Sequence, residues 1–258
     1  MEQTRASRRQ ATARPRPRRR VSVIGVFGEL LITAGVLVML YVVWQLWVGD
    51  LIYGAQNNAA AEELSQTWAE QYTPPEPDGE VLPTEEPASV EPVILPEPAD
   101  TEVFGIMRVP RFGDDYAVQM AGGVTRAGTL DSIGIGHYPG TAMPGEEGNF
   151  ALAAHRTTYG APFNRIAELK VGDAIVVETA DGWYTYRFRT LEYVTPSETD
   201  VLRPVPQQPD VPANGKYITL TSCSPMFSLA ERIVGYGVFE SFTPYADGPP
   251  AALSEGLA

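Results

Sequence analysis

Residues 21–48 form a run of 28 residues with a single charged member, Glu29. A helix needs about 20 apolar residues to cross the hydrocarbon core of a bilayer, so this run is long enough to span with tilt. Trp44 and Trp47 fall where interfacial aromatics belong. Eight arginines precede the run within residues 1–20, and no Lys or Arg occurs from 49 to 103. The positive-inside rule then keeps residues 1–20 in the cytoplasm and exports everything after the span. A cleaved signal peptide, with Ala59–Ala61 supplying small residues for cleavage, is the rival. Secretory apolar cores run about 7–15 residues, so an uncleaved single-pass anchor is the expectation.

Beyond the span the composition changes twice. Residues 49–102 hold thirteen acidic groups, and eight prolines fall between 74 and 98. Such a stretch buries too little apolar surface to offset its ordering entropy, and proline with like charge extends it. It reads as an extracytoplasmic stalk, with a short helix conceivable over 54–72. The whole chain carries a formal net charge of -13, which argues against a nucleic-acid partner. One cysteine and two histidines exclude an intramolecular disulfide framework and speak against a metal site. No phosphate-binding glycine loop with its lysine is present.

The block 103–244 is the expected folded domain, and its pattern is mainly β. Residues 104–111, 173–179, 183–194, 216–223 and 231–242 read as strands, with Asp181-Gly182 as a hairpin turn. Helical signal is slight, at 130–133 and 162–169. Several short strands separated by Gly, Pro and Asp favour a closed or nearly closed β-barrel over an open sheet. The tail 245–258 is expected to be disordered.

The chemistry centres on Cys223, at the end of the apolar strand Ile218-Thr219-Leu220-Thr221-Ser222-Cys223. A lone cysteine there is either a small buried hydrophobe or, in an exported domain where an idle thiol risks oxidation, a group put to use. A cysteine nucleophile needs a proton donor for its leaving group. His155 ends the apolar strand Asn149–Ala154, and His137 sits in the glycine-rich Gly134-Ile135-Gly136-His137-Tyr138-Pro139-Gly140. A strand end holds a ring more rigidly than a loop, which favours His155. Arg232 begins the strand after Cys223, and adjacent strands would bring it close enough to hold a carbonyl or an oxyanion.

Together these residues resemble the sortases, membrane-anchored cysteine transpeptidases. The resemblance covers about 103–243 and rests on three motifs in order: residues 136–149 (GHYPGTAMPGEEGN), 148–163 (GNFALAAHRTTYGAPF) and 219–225 (TLTSCSP). The three in combination look most like class E, the actinobacterial branch, which implies a closed barrel of about eight strands with short helices. The resemblance implies Cys223, His155 and Arg232 as catalytic residues and no cofactor. It also implies cleavage of a C-terminal sorting signal of LAxTG or LPxTG type between Thr and Gly, through a thioacyl intermediate. The acyl group then passes to a peptidoglycan-precursor amine of the lipid II type. The partners are thus exported proteins bearing such a signal. Tyr138, Thr221 and Ser222 are the expected substrate-binding residues; the tyrosine ring would crowd out a proline at the second signal position. A pilus-assembly sortase would share every catalytic residue, and a non-catalytic peptide-binding module is the non-enzyme alternative. An L,D-transpeptidase is disfavoured because position 221, two before the cysteine, is threonine rather than histidine.

Overall fold

The computed structural model describes residues 22–44, 48–72 and 90–255. The basic segment 1–20, Trp47 and the centre of the expected stalk lie outside the described residues. The chain divides into two units, one ending at Val43 and one from Trp44 onward. The first holds helix α1, Val23–Val43, with no buried residue. It is the one helix among the described residues long and apolar enough to cross a membrane.

The second unit begins with helix α2, Gly49–Gln71, and continues into eight strands. These are β1 Val103–Arg108, β2 Ala117–Gly122, β3 Ile135–His137, β4 Gly148–Ala154, β5 Ala174–Glu178, β6 Gly182–Val194, β7 Lys216–Ser224 and β8 Glu231–Pro244. They close into a barrel in the order β1-β2-β3-β4-β7-β8-β6-β5, with β5 returning to β1. The β2–β3 and β4–β7 pairs are parallel and the rest antiparallel. The barrel is therefore mixed.

Strand periodicity explains the core. Along β7, Ile218 and Leu220 point inward, to meet Phe150 and Leu152 of β4, Tyr186 of β6 and Ile233 of β8, all fully buried. Thr219 and Thr221 alternate with them and face out of the barrel. The 173–179 segment alternates only partially because both faces of β5 are covered. Ile175 and Val177 enter the core, whereas Ala174 and Val176 pack with Trp183 and Ala252.

Three expectations are corrected. First, 49–102 is not one stalk. Ala61 of α2 is fully buried in a cluster with Ile106 and Ala117, with Leu64 and Trp68 packed beside it. Residues 90–102 also run against the barrel: the Tyr184 hydroxyl donates to Val93 O at 2.5 Å, and Gly140 N donates to the Glu97 carboxylate at 2.6 Å. Second, the tail is ordered through Glu255. Tyr245 stacks on Trp183 with ring centres 4.5 Å apart, Ala252 is buried, and Glu255 pairs with Arg187. Third, strands β2 and β3 were not expected, and β3 carries His137 out of its supposed loop.

Candidate active site

Cys223 lies near the end of β7, directly opposite Arg232 on antiparallel β8. The other neighbour of β7 is β4, which runs parallel to it with Ala153 beside Thr221. Two residues further along each strand come His155 and Cys223, so both reach the same end of the barrel. Side-chain bonds tie the two strands there. The Thr221 hydroxyl donates to Leu152 O at 3.1 Å and the Ser222 hydroxyl to Ala154 O at 2.8 Å. Cys223 is half-buried and is a free thiol. Arg232 donates from Nη1 to Leu229 O at 3.2 Å and Glu231 O at 3.0 Å, which folds its guanidinium over the β7–β8 turn.

The two histidines occupy different environments. His155 is held at Nε2 by Asp131 Oδ1, 2.6 Å away, and its ring stacks on Tyr159 with centres 5.2 Å apart and planes 26° from parallel. His137 is 1% exposed, and its Nε2 lies 3.0 Å from both Ala142 O and Thr141 Oγ1. Its ring stacks on Phe150 inside the barrel. Burial pushes its pKa down, so it stays neutral in the core. Asp131 was missed by sequence reasoning. It follows a turn at Arg126–Leu130, and no local spacing relates a carboxylate there to a histidine 24 residues later.

The expected substrate-binding residues separate. The Tyr138 hydroxyl lies 3.0 Å from Thr221 Oγ1, and Thr221 shares the outward face of β7 with Cys223 by strand parity. Ser222 has the opposite parity and is 3% exposed, with its hydroxyl engaged by Ala154 O. Its side chain is not beside Tyr138 and Thr221. Further down the same face, Thr219 Oγ1 donates to Asn149 Oδ1 at 2.7 Å. Asn149 Nδ2 in turn donates to Val201 O and Arg203 O, each at 3.0 Å. This fastens the long β6–β7 connection over the outer face of β4 and β7. Val201 there joins Val194 and Val234 in an apolar cluster.

A closed mixed barrel that places a half-buried thiol opposite an arginine, with a carboxylate-held histidine ending the parallel neighbour strand, defines a class of cysteine-centred β-barrel proteins. The family model described as Sortase domain matches residues 107–240, and the chain belongs to the sortase family. It is 38% identical to Sortase SrtE1 of Streptomyces coelicolor over 96% of its own length, and spans 65% of that relative. Among solved structures, it resembles the SrtA sortase from Actinomyces oris at a TM-score of 0.60 and 34% identity, covering 63% of this chain and 93% of that one. It also resembles sortase E1 from Streptomyces coelicolor with a tripeptide in the active site. That match has a TM-score of 0.56 and 38% identity, and covers 60% of this chain and 99% of the other. The class E likeness read from the motifs therefore holds over the barrel.

Proposed function

We propose that this chain is a cysteine transpeptidase that cleaves a C-terminal sorting signal between Thr and Gly and transfers the acyl part to a cell-wall precursor amine. The observation that carries the reading is the cross-strand pair Cys223–Arg232 at the barrel end reached by His155. The sulfur attacks the threonine carbonyl, and the developing oxyanion takes hydrogen bonds from Arg232. The C–N bond breaks as His155 gives its proton to the departing glycine amine. The incoming amine then attacks the thioester, loses its proton to His155, and expels the Cys223 thiolate, which recovers the proton.

The outward face of β7, with Thr221 hydrogen-bonded to Tyr138, is proposed as the floor and wall of the peptide groove. The wall at Tyr138 would favour alanine over proline at the second signal position, since the ring leaves less room there. The occurrence of a tripeptide in the sortase E1 active site supports a peptide occupant. Helix α1 is proposed as the anchor, with the arginine-rich segment cytoplasmic and the barrel outside. No cofactor enters this chemistry.

The test is to incubate the full chain, in detergent, with LAxTG and LPxTG peptides and an amine acceptor, and to read products by mass spectrometry. The expected products are the Thr-acylated amine and a free glycine-led fragment. Cys223→Ala should form neither while its melting temperature stays within a few degrees of wild type. Product formation by Cys223→Ala overturns the assignment.

A further inference from the structure

An imidazole that must both take and return a proton has to be held in one tautomer, and two contacts hold His155. Asp131 Oδ1 lies 2.6 Å from Nε2, with the two side chains only 21% and 13% exposed. A carboxylate only accepts, so Nε2 carries the hydrogen. Arg126 approaches the same oxygen at 3.8 Å but is 71% exposed, so water screens it and the short partner of Asp131 is the ring. The second contact is the stacked Tyr159 ring, which fixes the imidazole plane.

Tyr159 is itself held by the turn it belongs to. Residues Thr158, Tyr159, Gly160 and Ala161 all have positive φ, a run that only dense local contacts sustain. Thr158 N donates to the Asp50 carboxylate of α2 at 3.1 Å, and Phe163 N returns to His155 O at 3.0 Å. A Cβ at Gly160 would sit 2.8 Å from Asn57 Nδ2 and 2.9 Å from Gly54 N, so the turn is pressed against α2 as closely as glycine allows.

We propose that Asp131 is a positioning residue for the acyl transfer: it accepts the Nε2 hydrogen of His155, fixes that tautomer, and leaves Nδ1 as the nitrogen that exchanges protons with Cys223 and the amines. The inference rests on the assignment of Cys223 and His155 above. In the first step Nδ1 takes the thiol proton, giving thiolate and an imidazolium whose Nε2–H stays on Asp131. When the C–N bond breaks, the Nδ1 proton leaves with the glycine amine and the ring is neutral again. In the second step Nδ1 takes a proton from the attacking amine and returns it to the sulfur. Asp131 keeps its charge throughout and stabilises the ring while that is positive.

The chain contains two histidines, so selective 15N-histidine labelling of the full chain in detergent gives two pairs of ring-nitrogen signals. His155→Gln assigns them. The expected result for neutral His155 is the Nε2–H tautomer in wild type and a mixture of tautomers in Asp131→Ala. The same variant should lose about 10- to 100-fold in kcat with KM for the signal peptide within about twofold, the pattern of a misplaced catalytic group rather than a lost binding contact. If Asp131→Ala fails to fold, the isosteric Asp131→Asn carries the kinetic reading, because it removes the charge that favours the imidazolium. The tautomer is then read in wild type alone, since an amide can either accept from or donate to Nε2. An Nδ1–H tautomer in wild type, or wild-type kcat in the folded variant, overturns the proposal. His155→Ala separates the two levels. Full activity there sinks the underlying assignment, whereas inactive His155→Ala beside fully active Asp131→Ala sinks only the role of Asp131.

Discussion

Thr221 and Cys223 face out of the barrel, and Ser222 between them faces the other way. That parity decides which hydroxyl stands on the side of the proposed groove, where Thr221, bonded to Leu152 O, is nonetheless as enclosed as Ser222. Tyr138 meets Thr221 at 3.0 Å, and the ring stands next to the face on which the proposed acyl transfer occurs. If the ring crowds out proline, Tyr138→Ala should lower the ratio of kcat/KM for LAxTG over LPxTG by about tenfold, the scale set by a small volume change in an apolar subsite. Tyr138→Phe keeps the ring and should keep most of the ratio while losing the bond to Thr221. Competition kinetics with both peptides measures this, and a ratio unmoved in Tyr138→Ala places the discrimination elsewhere. The histidines show the same dependence on surroundings. Both follow or sit within apolar stretches, but one is enclosed by Phe104 and Phe150 and the other ends a strand beside Asp131. The premise that His137 sits in a loop does not hold, since it ends β3; what separates the two rings is burial, which the strand pattern does not show. The partner of His155 was not legible either, because a contact across 24 residues leaves no local period.

At the scale of elements, α2 is the unexpected part. Its sequence is rich in Ala, Gln, Asn and Glu and reads as polar nearly all round. The residues that meet the barrel, Ala61, Leu64 and Trp68, form a stripe of helical spacing too thin to announce burial. Polar contacts supply the rest of the interface. Glu178 of β5, with a side chain 2% exposed, accepts from Arg108 Nε at 2.7 Å and from the Ser65 hydroxyl at 2.5 Å. Arg108 also reaches Glu62 at 2.6 Å. Removing one partner of a buried ion pair leaves the other uncompensated, at about 3–5 kcal/mol. Arg108→Ala should therefore lower the unfolding free energy by about 3 kcal/mol, read from urea titration of the full chain. Ser65→Ala should cost about 1 kcal/mol, as Glu178 keeps its ion pair. A negligible effect of Ser65→Ala beside the full loss in Arg108→Ala would show that α2 does not share the cooperative unit of the barrel.

The whole molecule is organised by charge along the chain as much as by its core. The excess of arginine before α1 and of carboxylates after it supports the proposed orientation, with a cytoplasmic N-terminus. Since Cys223 is the sole cysteine, topology can be read by introducing single thiols into Cys223→Ala. Ser7→Cys should react with a membrane-impermeant maleimide only after permeabilisation. Ser197→Cys, in an exposed turn, should react in intact cells. The reverse pattern overturns the orientation.

The apolar run, six of the eight strands, the sole thiol and its ordering relative to His155 and Arg232 were all determined by the sequence. Each is a local or pairwise property: a length, a period of two, a residue type at a strand end. Strands β2 and β3 and the burial of the tail were decided only in three dimensions. So were the docking of α2, the inward turn of Ser222 and the pairing of Asp131 with His155. All five depend on which surface comes to lie against a segment. A strand of three residues, such as Ile135–His137, has too few alternations to show a period, and β4 and β2 on either side of it are what make it a strand. Ala252 is apolar in any setting, but it is buried because closure of the barrel puts Ala174, Val176 and Trp183 beneath it.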